Sequence, residues 1–173
     1  MSKLVIMNHV REGVELAKKY RLNKRIVDFI MQHHGTSLVY YFYRRALEKL
    51  EEEDQIEEEG FRYPGPKPNS IETAIVLLAD SVEAACRAIK TPTLAAIEEV
   101  VRKVINNKFI DGQLDECDLT LRDLEKIAQV FIRALGGIYH PRIIYPERES
   151  ENIYSKSPKE NSHRSEEGKG ISS

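Results

Sequence analysis

The sequence predicts an all-α fold, a compact bundle of about six helices. Three observations lead there. Apolar residues return at intervals of three and four along most of the chain. No run alternates apolar and polar residues long enough to make a convincing strand, and capping residues, glycines and prolines separate the periodic stretches.

The first helix spans residues 3 to 20, with Val10, Gly13, Val14 and Ala17 on one stripe. Asn23 is placed to cap a second helix, which carries Ile26, Val27, Phe29 and Ile30, ends near His34 and breaks at Gly35. Thr36 or Ser37 then opens a third, on which Leu38, Phe42, Ala46 and Leu50 recur at spacing four. It runs out in EEEDQIEEEG, a solvated helix end or mobile loop. In GFRYPGPKPNS the residues Pro64, Pro66 and Pro68 forbid a regular helix, because each lacks an N–H and biases the residue before it away from helical angles. Ser70 opens the most apolar helix, with Ile71, Ile75, Leu78, Val82, Ala85 and Ile89 as its expected core stripe. TPTLAAIEEVVRKVI opens the next, with Pro92 in its first turn and Leu94, Ile97, Val101 and Val104 facing inward. After the acidic, turn-rich FIDGQLDECDLT, Thr120 and Asp123 form a capping-box pattern. Leu121, Leu124, Ala128, Phe131, Leu135 and Ile138 make the last stripe. From Glu147 onward there is almost nothing to bury, so residues 147–173 are expected to be disordered, leaving 1–146 as the folded part.

Composition narrows the function. The 173 residues are 41% hydrophobic and 31% charged with a net charge of −2, an ordinary globular balance without the basic excess of a nucleic-acid polymer binder. No apolar run approaches the roughly 18 residues that suggest a membrane span, and the N-terminus lacks the pattern of a secretory signal. Cys86 and Cys117 have no metal-ligand spacing; they fit a disulfide or, better, two buried thiols in a reducing cytoplasm.

Two features point to chemistry. His33 and His34 stand side by side before Gly35, which fits either a polar helix end or a metal site. Adjacent helical side chains diverge by about 100°, so both imidazoles reach one ion only where the helix terminates, and Gly35 supplies that termination. Asp80 interrupts the apolar run of AIVLLADSVEAA and is expected to be buried; it fits a kink, a salt bridge to Arg87 or, better, a metal ligand. Three imidazoles and a carboxylate suit zinc, iron or manganese rather than calcium. Tyr40, Tyr41, Phe42 and Tyr43 are expected to pack in the core, or in part to stack on a base beside Arg44 and Arg45, whose guanidinium groups suit phosphate; Lys67 offers a further cation at the same mouth.

NHVREGVELAKKY, FIMQHHGTSLVYYFYRRA, FRYPGPKP, AIVLLADSVEAA and DGQLDECDLTL occur together and in order. In this the chain resembles the C-terminal cytoplasmic HD domain of bacterial seven-transmembrane HD hydrolases, over residues 4 to 146. The resemblance implies an HD-domain-like bundle, a dinuclear site of divalent transition metals (manganese or iron), hydrolysis of cyclic di-AMP to the linear dinucleotide, and work at the cytoplasmic face of a membrane. It makes His9, His33 and His34 ligands of one metal and Asp80 a ligand of the other, and Arg44, Arg45 and Lys67 remain the phosphate contacts expected from the residues themselves. The family pattern also has an early His and a His-Asp dyad upstream of His9, and neither occurs here. The domain is therefore expected to be incomplete at its N-terminus, to self-associate through uncovered core, and to be inactive alone. A nucleotide-binding or protein-interaction module derived from an HD domain is the rival reading.

Overall fold

The computed structural model describes residues 3–49 and 56–139. The expected disordered tail, Leu50, His140 and His163 lie outside the described residues. The described residues form six α-helices and no strand: α1 (Lys3–Lys19), α2 (Lys24–Gln32), α3 (Tyr40–Leu47), α4 (Ile71–Arg87), α5 (Leu94–Ile110) and α6 (Leu121–Tyr139), with a 3-10 turn at Glu58–Phe61. None is long and apolar enough to cross a membrane.

The helix starts follow the cap chemistry. Asn23 Oδ1 accepts from Arg25 N–H at 2.7 Å, Ser70 and Thr73 form a reciprocal capping box, and Thr93 accepts from Ala96 N–H. Thr120 and Asp123 exchange hydrogen bonds ahead of α6. Each satisfies amides that the first turn of a helix leaves unpaired. Pro92 precedes the Thr93 cap and so lies outside the first turn of α5.

The third helix departs from expectation. Thr36–Val39 is not helical, because its backbone pairs elsewhere: Val39 N–H donates to Phe61 O, Tyr63 N–H to Ser37 O, and Leu38 bridges Arg62. Helix α3 therefore begins only at Tyr40 and buries no residue; Tyr40 and Tyr41 are exposed rather than in the core.

Packing runs in a chain, α1 on α2, α2 on α4, α4 on α5 and α5 on α6. Gly13 lets α1 approach α2, since a Cβ there would stand 2.9 Å from Ile30 Cγ2. The core lies among α4, α5 and α6, around Leu77, Leu78, Val82, Ile97 and Val101. The expected stripes hold through Leu78, Val82, Ile97, Val101, Leu124, Ala128 and Leu135, whereas Ile71, Leu94, Leu121 and Ile138, at or next to helix ends, are exposed. Cys86 is buried, Cys117 is half-buried, and both are free thiols.

A polar clamp fixes the α2–α3 turn. Helix α5 ends with Gly112 in the left-handed region (φ 68°), its N–H on Phe109 O and that of Gln113 on Lys108 O, a Schellman ending. This carries Gln113 inward, where it is fully buried. Its Oε1 accepts from Thr36 N–H at 2.9 Å, and its Nε2 donates to Thr36 Oγ1 and Asp111 Oδ2. Arg62 donates to Thr36 O at 3.0 Å and to both oxygens of Asp111. Gly35 has φ 55° and lies so close that an added Cβ would meet Gln113 Oε1 at 2.5 Å. Burial pushes the Asp111 carboxyl up, but the Arg62 guanidinium and the Gln113 amide outweigh it and hold the group below the ordinary carboxylate range.

Three outcomes are expected. Leu77→Ala removes a side chain with no exposure and should cost about 2–5 kcal/mol in urea unfolding. Leu121→Ala, at 70% exposed, should stay within about 0.5 kcal/mol of the parent. Asp111→Asn should destabilise at neutral pH. The folded state binds the Asp111 proton less readily than the unfolded chain, so its stabilisation is complete above the ordinary carboxylate range and vanishes as pH falls through the lower folded value. Unfolding curves of parent and variant should therefore converge below about pH 4; a gap that is constant with pH would contradict the ion-pair account.

Candidate metal centre

Three imidazoles from two helices meet beside the clamped turn. His9 comes from α1, His33 is the C-cap of α2, and His34 follows it into the turn that Gly35 completes. His9 Nε2 lies 3.3 Å from His33 Nε2 and 3.1 Å from His34 Nε2. Two nitrogens bound at about 2.0–2.1 Å in a tetrahedral set stand about 3.4 Å apart, so this spacing suits one shared ion.

The other ring nitrogens explain the arrangement. His9 Nδ1 faces Ile6 O, and His33 Nδ1 lies 2.8 Å from Ile30 O. His34 Nδ1 lies 3.3 Å from Asp80 Oδ2. Carbonyls and ionised carboxylates only accept, so each Nδ1 carries the proton and each neutral ring turns an Nε2 lone pair toward the same point. A shared proton can serve one pair of nitrogens; a cation serves all three. Burial, and next the neighbouring His34, hold His33 below the ordinary histidine range, which favours the neutral ligand form.

Asp80 is not the buried carboxylate the sequence suggested: its side chain is 46% exposed. One face of α4 opens toward the histidines, and a carboxylate there is both hydrated and paired. The His34 hydrogen bond is the main reason its carboxyl sits below the usual range. Asp80 thus stands at the ring nitrogen of His34 opposite the cluster, and Arg87 pairs with Glu83 instead of with it.

Tyr63, from the proline-rich loop, stacks on His34 with centroids 4.3 Å apart and meets His9 edge-on. Burial, with Asp80 nearby, pushes its phenol up to about 12, so it stays neutral. One tyrosine beside prolines carries no signal of its own in the sequence, and it is the stacking on His34 that places Tyr63 at the site. Arg44 and Arg45 are exposed, within reach of the Tyr40 and Tyr41 hydroxyls on their own helix, and Lys67 reaches Asp115 at 3.5 Å.

No family model matches the chain. The cyclic-di-AMP phosphodiesterase PgpH of Bacillus subtilis (strain 168) is 50% identical over 147 residues, 85% of this chain and 20% of that protein. PgpH of Listeria monocytogenes serotype 1/2a (strain 10403S) is 42% identical over 146 residues, again 20% of its length. The chain thus spans about a fifth of the curated relatives it matches. Among solved structures, the L. monocytogenes PgpH HD domain in complex with cyclic-di-AMP superposes with a TM-score of 0.76 at 42% identity, covering 83% of this chain and 66% of that one. Sequence and fold agree over most of the chain, and it belongs to the family of the PgpH HD domain.

Proposed function

We propose that this chain carries one metal-binding half of a cyclic di-AMP phosphodiesterase centre working on the cytoplasmic side. The convergence of the three Nε2 atoms, each with its Nδ1 held by an acceptor, carries the proposal. His9, His33 and His34 would hold a divalent transition metal, manganese or iron, which when bound supplies Lewis acidity toward a phosphate oxygen. Asp80 keeps His34 in the ligating tautomer and remains the proposed ligand toward a second ion. Tyr63, neutral and packed over His34 and His9, limits the freedom of both rings. Arg44, Arg45 and Lys67 are the proposed phosphate contacts, because two are exposed and the third has only a long contact to an exposed carboxylate. The substrate assignment is supported by the cyclic-di-AMP complex of the Listeria HD domain.

The 173 residues contain no His-Asp dipeptide, and the two histidines besides these three lie outside the described residues. We therefore assign this chain the binding of one ion without turnover on its own, since an in-line displacement needs charge at both the attacking and the leaving oxygen. We also assign self-association, through the exposed Leu4, Val5 and Leu16 of α1 and the exposed Tyr20, Leu22 and Ile26 that follow it in the chain.

Calorimetric titration with Mn²⁺ or, anaerobically, Fe²⁺ should show one weak site. His33→Ala and His34→Ala should each weaken it by at least about tenfold. Incubation with cyclic di-AMP and Mn²⁺ should leave the dinucleotide intact; robust hydrolysis that His33→Ala abolishes would refute the half-site reading. In analytical ultracentrifugation the weight-average mass should rise with concentration, and Leu16→Glu should suppress the rise. A concentration-independent monomer would remove the self-association proposal.

A further inference from the structure

Ser37 is buried and sits three residues beyond His34, with each of its polar groups engaged. Its N–H donates to His34 O at 3.1 Å, its carbonyl accepts from Tyr63 N–H at 3.0 Å, and its hydroxyl accepts from Lys108 Nζ at 2.6 Å. Through these bonds Ser37 joins the backbone of one candidate ligand to that of the tyrosine stacked upon it. Lys108 comes from the last turn of α5, and in sequence it reads as an ordinary solvent-facing lysine of NNKFIDG. Instead it is half-buried, and the groups that act on its ammonium are Asp111 and Asp80, attractively, and Arg62, repulsively.

A half-buried ammonium resting on a neutral hydroxyl is unfavourable compared with an apolar side chain of the same length. Something in the fold must use it. One use is visible: its hydrogen bond closes the back of the turn that follows His34.

We infer that Lys108 is a positioning residue of the metal centre, which aims His34 by holding Ser37 from behind. Lys108 acts through Ser37. This rests on the three-histidine metal reading, and the test separates the two.

Mn²⁺ affinity is measured by calorimetry for the full chain and for Lys108→Met, Lys108→Arg, Ser37→Ala and the combined Lys108→Met/Ser37→Ala variant, with helicity and melting followed by circular dichroism. Lys108→Met and Ser37→Ala should each weaken Mn²⁺ binding by about tenfold while helicity is kept. Lys108→Arg should recover part of the loss, and the combined variant should be no weaker than Lys108→Met alone. Undiminished affinity in Lys108→Met overturns the inference. Should Lys108→Met not fold, Ser37→Ala decides alone, with unchanged affinity overturning it. Should the parent bind no Mn²⁺, the metal reading fails by itself, and imidazole nitrogen shifts of the metal-free chain decide the positioning role. His34 should be the Nδ1–H tautomer in the parent and a mixture in Ser37→Ala and Lys108→Met; identical spectra would overturn it.

Discussion

The buried amide of Gln113 is the contact on which the site depends. An unpaired amide at such a position is costly, so the fold can keep Gln113 inside only when Thr36 and Asp111 occupy their places. That requirement fixes the turn between α2 and α3, and the turn carries His34. Arg62 tightens the same knot by bonding Thr36 O and Asp111 together. Gly35 is needed for two reasons that coincide: its backbone is left-handed, and the Gln113 oxygen leaves no room for a Cβ. A purely apolar contact would stabilise the turn without fixing its orientation, because dispersion has no preferred direction. The polar knot has one satisfied arrangement.

This gives the histidines a framework that opposes their own preference. Neutral imidazoles with their protons on Nδ1 repel through their Nε2 lone pairs, yet the three Nε2 atoms crowd together. Each ring is held from its far nitrogen: His9 and His33 by carbonyls three residues earlier in the chain, His34 by Asp80 on α4. Local conflict maintained by surrounding structure is a mark of a site with a task. The fold distributes the restraint, since α1, the end of α2 and α4 each contribute, and the turn is supported by Lys108 of α5 and by Gln113 just beyond its end.

The helices were legible wherever a local rule decides. Asn23, Ser70 and Thr120 cap as their chemistry requires, and Gly35 breaks where a left-handed residue is needed. Periodicity located Leu78, Val82, Ile97, Val101, Leu124 and Ala128 in the core because a helical stripe that faces a neighbouring helix is buried. It failed at Ile71, Leu94, Leu121 and Ile138 because a stripe does not say where the covering helix stops. It failed also at Leu38, whose segment pairs with residues 61–63, a long-range partner no local pattern announces.

The sequence by itself determined the helical class, the caps at Asn23, Ser70 and Thr120, and which histidines to watch, because those follow from residue type and short spacing; the family came from a resemblance across five segments taken together. Only the tertiary structure decided that Asp80 is exposed and bound to His34, for apolar neighbours in sequence do not show which face of α4 opens toward the histidines. Only it showed that Tyr63, Lys108 and Gln113 belong to the site's surroundings. Each reaches the His33–Ser37 turn across 26 residues or more, from Tyr63 at Ser37 O to Gln113 at Thr36, 77 residues away. A hydrogen bond at such separation is specified by how α5 ends and where it packs, and that is settled by burial and satisfied polarity over the whole domain rather than by any single segment.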